Sequence, residues 1–110
     1  MVTDYGLDAL AAIVHETAIE KGFWDSPKNF DVLGNKLALV HSEVTEVLEA
    51  IRKNKGSEQV VEEMADVVIR LLDLYAAMMN GGFIHHSLDE QLNKKMEINL
   101  NRLPLHGNLF

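Results

Sequence analysis

Two pairs of acids, Glu43 with Glu46 and Glu63 with Asp66, share the same i, i+3 spacing. On a helix, residues three apart lie on one face. Val40, Val44, Val47 and Ile51 mark an apolar stripe around the first pair, and Val60, Met64, Val67, Leu71 and Met78 mark one around the second. At ~100° per residue, Glu43 falls about 40° from Val47 and Glu63 about 40° from Val67, with Glu46 and Asp66 further round. Both pairs therefore border a core face, and antiparallel packing of the two helices would bring four carboxylates to one edge of the core. Four such groups cannot all stay ionised at neutral pH without a counter-charge. Oxygen-only donors favour magnesium, manganese or calcium over zinc or copper. Ordinary helix-surface charge explains either pair alone better; the matched phases put a shared metal site on an equal footing with it.

The elements that would carry these acids are all helical. The first periodic segment runs from about Asp4 to Lys21, with Leu7, Leu10, Ala11, Val14 and Ile19 roughly on one face and Gly22 ending it. A loop containing Phe23 and Trp24 follows, in which Ser26-Pro27 reads as an N-cap with proline at the first helical position. A second helix is expected from about Leu33 to Asn54, closed by Gly56, and a third from a Ser57 cap to about Met79, stopped by Asn80-Gly81-Gly82. The fourth starts at Ser87, with Glu90 three residues on completing a capping box, and Pro104 bounds it. No alternating strand pattern or repeat interrupts this. Short connections between amphipathic helices predict an all-α, four-helix bundle-like arrangement in one domain spanning 1–110.

Composition narrows the function. With 110 residues the core is small, so the bundle is expected to be completed by dimer or tetramer formation. No cysteine is present, which excludes disulfides and any thiolate metal or nucleophile chemistry. Ten basic against 17 acidic residues give a net charge of −7, a field that repels nucleic acid and anionic membranes. No signal-peptide pattern and no apolar run of ~20 residues is visible, so a cytoplasmic protein is the expectation.

The sequence Leu37-Ala38-Leu39-Val40-His41-Ser42-Glu43-Val44-Thr45-Glu46, followed by Glu63-Met64-Ala65-Asp66, resembles the Glu-x-x-Glu … Glu-x-x-Asp signature of the MazG-like all-α nucleoside triphosphate pyrophosphohydrolases. The likeness extends through Glu49-Ala50-Ile51-Arg52, Val67 to Asp73, the upstream Lys21-Gly22-Phe23-Trp24, and a C-terminal stretch with Lys95, Asn99, Arg102 and His106-Gly107. It covers roughly residues 10 to 108. The resemblance implies a magnesium-dependent enzyme, with manganese as a substitute, that cleaves a nucleoside triphosphate between its α- and β-phosphates as a homodimer or homotetramer. It implies Glu43, Glu46, Glu63 and Asp66 as metal ligands and catalytic groups, and Lys95, Asn99 and Arg102 as phosphate contacts. Two departures stand out: Ser42 where many relatives carry a second acid, and Leu103-Pro104 and Asn108 in a tail where many small relatives read Arg-Pro-x-x-His-Gly-Lys.

Phosphoanhydride hydrolysis needs neutralised phosphates and a water in line, and cations held by carboxylates serve both ends. One of the four acids, or Glu62 beside them, could act as base to that water. Lys95 and Arg102, two turns apart, could face the leaving pyrophosphate or form a solvated basic helix end. Trp24 could stack on a nucleobase or cap the core with Phe23. His41 falls on the far side of the acid helix, and His85-His86 lack a third ligand. Arg70 is spaced for intrahelical pairing with Asp66 or Asp73, which explains it at least as well as substrate binding does. A di-iron bundle would want Glu-x-x-His, which neither acid pair supplies. The competing non-enzymatic reading is a dimerising helical bundle acting as a regulatory or antitoxin-like module.

Overall fold

The computed structural model describes residues 6–25 and 29–102. The expected start at Asp4, the Ser26-Pro27 cap, and the tail positions Leu103, Pro104, His106, Gly107 and Asn108 lie outside them. Four helices follow in order: α1 (Leu7–Glu20), α2 (Phe30–Arg52), α3 (Ser57–Asn80) and α4 (Leu88–Leu100). The described residues contain no strand. Among them, no helix is long and apolar enough to cross a membrane.

Helix ends follow from a few residues. α1, α2 and α3 each close with paired main-chain bonds. Phe23 N–H donates to Ala18 and Gly22 N–H to Ile19; Lys55 and Asn54 donate to Ala50 and Ile51; Phe83 and Gly82 donate to Met78 and Met79. In each case the residue after the cap sits at positive φ: Gly22 at 81°, Asn54 at 51° and Gly82 at 77°. The second helix is thus closed by Asn54. Gly56, expected to close it, instead opens α3 with φ 96°, and Ser57 is the first helical residue. α2 begins earlier than expected, capped by Asn29, whose side chain accepts from Val32 N–H at 2.9 Å.

α3 is the central element and packs against α1 on one side and α2 on the other. His15 meets Asp73 while Ala11 packs with Leu72 and Ala76, so α1 and α3 run antiparallel. α2 and α3 form an antiparallel hairpin. The buried core is built largely from small residues, Ala11, Ala50, Ala76 and Ala77, with Leu33, Val40, Leu72 and Leu74. Alanines at the contact let helix backbones approach closely, while Leu33, Val40, Leu72 and Leu74 add larger apolar side chains to the area removed from water. The apolar stripe expected on α3 is only partly the buried one: Met64 and Leu71 are half exposed, whereas Asp73 is 4% exposed. α3 is apolar around most of its circumference, so periodicity alone could not choose its inner face.

α4 is attached at its first turn. Asp89 accepts from the amides of Leu7 and Asp8 at 2.8 and 3.0 Å, capping α1. In return Asp8 accepts from the Asp89 amide at 3.1 Å and from the Ser87 hydroxyl at 2.6 Å. Ser87 also accepts from Glu90 N–H at 3.1 Å, the cap expected from the sequence. Each helix N-terminus thereby receives a carboxylate from the other. A side chain at Gly6 would bring a Cβ within 2.8 Å of the Asp89 carboxylate, so the exchange requires glycine there. Burial pushes the Asp8 carboxyl up, but bonds from Ser87, Asp89, Leu88 and Tyr75 outweigh it and the group titrates below its ordinary value.

Candidate metal centre and adjoining cavity

Glu43 projects from the middle of α2, Glu63 and Asp66 from the first half of α3. The antiparallel hairpin brings one carboxylate oxygen from each of the three within 4.8 Å of one another. Glu43 and Glu63 are half-buried. Glu63 is further held by Gln59, whose amide donates to Oε1 at 2.7 Å, one turn earlier on α3. Glu46, the fourth expected ligand, is exposed and lies outside this group of three. Hard oxygen donors gathered this closely suit a hard divalent cation, so the residues present fit magnesium or manganese.

Arg70, one turn beyond Asp66, does not pair along its own helix as its spacing suggests. Its Nε–H donates across the hairpin to Glu43 Oε1 at 3.3 Å, and its guanidinium lies 4.5 Å from the Phe23 ring centroid. Lys36 approaches the same ring, with Nζ 3.5 Å from the centroid and donating to the Phe23 carbonyl at 2.6 Å. Phe23 is therefore in contact with two cations, which its π faces attract. Desolvation lowers the Lys36 ammonium below its ordinary value; Asp73 opposes this and Arg70 adds to it.

Behind Phe23 a network missed by the sequence reading fixes the loop. Asp73, buried in α3, accepts from Trp24 Nε1–H at 2.9 and 3.0 Å and pairs with His15 Nδ1 at 2.7 Å. His15 is 2% exposed and packs edge-on against Trp24, with ring centroids 5.4 Å apart. A buried carboxylate needs such donors, since burying it bare would cost far more than the bonds return. The sequence contains the ingredients, but the separations of 58 and 49 residues leave no local signal. Trp24 thus has its indole edge tied to the core, and Phe23 is the aromatic that lines the cavity.

That cavity, of about 460 Å³, opens beside the acids. Leu10, Ile13, Val14, Ala18, Phe23 and Ile69 form its apolar wall, while Glu43, Asp66, Arg70 and Lys21 bring charge to it. An apolar chamber with charged groups at one side can take an amphiphilic small molecule whose charged end meets a cation held by the acids. No described α4 residue lines it. Lys95 is exposed on α4, which packs against α1 but not α2. Asn99 is half-buried, with an Oδ1 that accepts no hydrogen bond from a described residue. Arg102 lies just past the end of α4. Among the described residues, neither Lys95 nor Asn99 is brought to the acids.

Comparison with known proteins turns this geometry into a family assignment. No curated protein and no solved structure is matched by the chain. A family model, that of the MazG nucleotide pyrophosphohydrolase domain, matches residues 34–100, which include the acid hairpin and α4. The match covers well over half of the sequence, and the chain belongs to the MazG nucleotide pyrophosphohydrolase family.

Proposed function

We propose that this protein hydrolyses a nucleoside or deoxynucleoside triphosphate to the monophosphate and pyrophosphate with Mg²⁺, which Mn²⁺ can replace. The observation that carries the reading is the approach of Glu43, Glu63 and Asp66 within 4.8 Å beside a largely apolar cavity. Glu43, Glu63 and Asp66 hold the cation, with Glu46 as an outer ligand one turn along α2. A divalent cation bound there supplies neutralisation of phosphate charge and acidification of a water. The apolar wall receives the nucleoside, with Phe23 facing the ligand; Trp24, expected to stack on the base, instead anchors the loop to Asp73. An acid not committed to the cation takes the proton of the attacking water.

Lys95, Asn99 and Arg102 are the phosphate contacts the family resemblance suggests. Since α4 does not pack against α2, their participation calls for a second copy, in keeping with a homodimer or homotetramer. The testing experiment is calorimetric titration of the metal-free protein with MgCl₂, followed by a screen of common and modified triphosphates. Binding of Mg²⁺ with a rise in Tm is expected, because a ligand that binds the native state alone stabilises it. A Tm indifferent to millimolar Mg²⁺ with no heat of binding would remove the acid centre as a metal site.

A further inference from the structure

The acid centre carries its own competing cation. Arg70 reaches across the hairpin to Glu43, yet the contact is a single Nε–H bond at 3.3 Å, long for a charge-assisted pair. Its Nη groups make no hydrogen bond to a described residue, and the guanidinium is backed by the Phe23 ring rather than by a second carboxylate. Arg70 and Glu43 both line the cavity, with Asp66 one turn from Arg70 on the same helix. The nearby Lys36 is engaged otherwise, bonded to the Phe23 carbonyl and seated on the ring.

We propose that Arg70 is a phosphate-binding residue held in reserve by Glu43, and that it exchanges this carboxylate for substrate phosphate once Glu43 is committed to a divalent cation. The inference rests on the metal-centre reading above. Two cations cannot both draw fully on one carboxylate. When Glu43 coordinates, its charge is largely neutralised and the guanidinium next to it is left unpaired beside the cavity. A planar fork of free N–H donors supported by an aromatic face suits a phosphate oxygen pair better than a lone ammonium does. Phe23, fixed by the end of α1, holds the guanidinium at the cavity during the exchange. Arg70 thus makes phosphate binding depend on prior metal binding, and in metal-free protein it stays paired with Glu43.

The test uses calorimetry on the full chain, with Mg²⁺ alone and then inorganic tripolyphosphate at saturating Mg²⁺ as the probe. Tripolyphosphate carries the phosphate chain without base or sugar. Arg70→Met and Arg70→Gln, each checked for retained helicity, should bind Mg²⁺ more tightly than wild type, because a competitor is gone. Both should bind tripolyphosphate about tenfold or more weakly, the loss expected for a charge-assisted hydrogen bond to phosphate. Equal tripolyphosphate affinity in wild type and variants overturns the proposal. So does weaker Mg²⁺ binding in the variants, which would make Arg70 an orienting partner of Glu43 and not its competitor. A wild type that binds no Mg²⁺ overturns the acid centre itself, and this inference with it.

Discussion

At the scale of single residues, the site divides into the acids to which the proposal gives the chemistry and groups that fix the surrounding loop and helices. Glu43→Gln and Asp66→Asn keep shape and remove charge, so turnover should fall by about a hundredfold or more, a typical loss for a group stabilising transition-state charge. Circular dichroism should stay helical. Glu49→Gln, further round α2, should retain near wild-type rates, which makes it the internal control. Asp73 belongs to the second kind. Asp73→Ala removes the carboxylate that His15 and Trp24 share and should cost about 2–4 kcal/mol, measurable as a lower urea midpoint with an altered Trp24 emission. The contrast explains what the sequence could reveal. Glu43, Glu63 and Asp66 announced themselves because their spacing and phase are local properties of two helices. Asp73 looked like a helix-surface partner of Arg70, because nothing local records that His15 and Trp24 fold back onto it or that Arg70 crosses to Glu43.

At the scale of elements, the exchange of carboxylates between Asp8 and Asp89 ties α4 to the body of the protein. Asp8 has a depressed folded pKa, so its contribution is present above the ordinary carboxyl value and is lost as pH falls through it toward the lower folded value. Amide exchange at Leu88 and Asp89 should therefore accelerate as pH drops below about 4, beyond the intrinsic pH effect, while the α2–α3 hairpin keeps its protection. Asp89→Ala should release the α1 start at neutral pH, costing about 1 kcal/mol as cap losses do, seen as faster exchange at Leu7 and Asp8. Helix existence and the glycine stops after α1 and α3 were legible from local signatures, whereas the stop of α2 was read at Gly56 and falls at Asn54. The reciprocal cap was not legible: Asp8 and Asp89 read as ordinary first-turn acids, and only the meeting of two distant N-termini makes each the other's cap.

At the scale of the whole molecule, the four helices do not close on themselves. The radius of gyration is 16.0 Å, against about 13 Å for a compact chain of 100 residues. Leu37, Val44, Leu48, Val61, Val68 and Ile69 on α2 and α3 are each at least 46% exposed. Apolar surface of that extent on adjacent elements is what a subunit interface covers. Sedimentation equilibrium at micromolar concentration should give a dimer or tetramer mass, and Val68→Glu should shift it toward the monomer. A monomer in both would contradict this account of α4's basic residues, which calls for a second copy. The all-helical class was readable from 3.6-residue periodicity, and the short length led to the expectation of a second copy, but which apolar stripes stay open on the single chain was not readable. A stripe that faces another subunit has the same pattern as one that faces the core.

The reaction itself is the central claim, and the identity of its products tests it most directly. A deoxynucleoside triphosphate accepted in the substrate screen is incubated with the protein and Mg²⁺ to partial turnover, with inorganic pyrophosphatase left out, and the nucleotides are separated by ion-exchange chromatography. A cation held by the acids on the phosphate chain beside the cavity, with Arg70 and the α4 cations on its distal part, suits departure of pyrophosphate as one unit. The account predicts monophosphate and pyrophosphate in equal amounts from the earliest time point, with no diphosphate accumulating. Nucleoside diphosphate and orthophosphate as the first products would contradict it, even if Glu43, Glu63 and Asp66 proved to bind the metal.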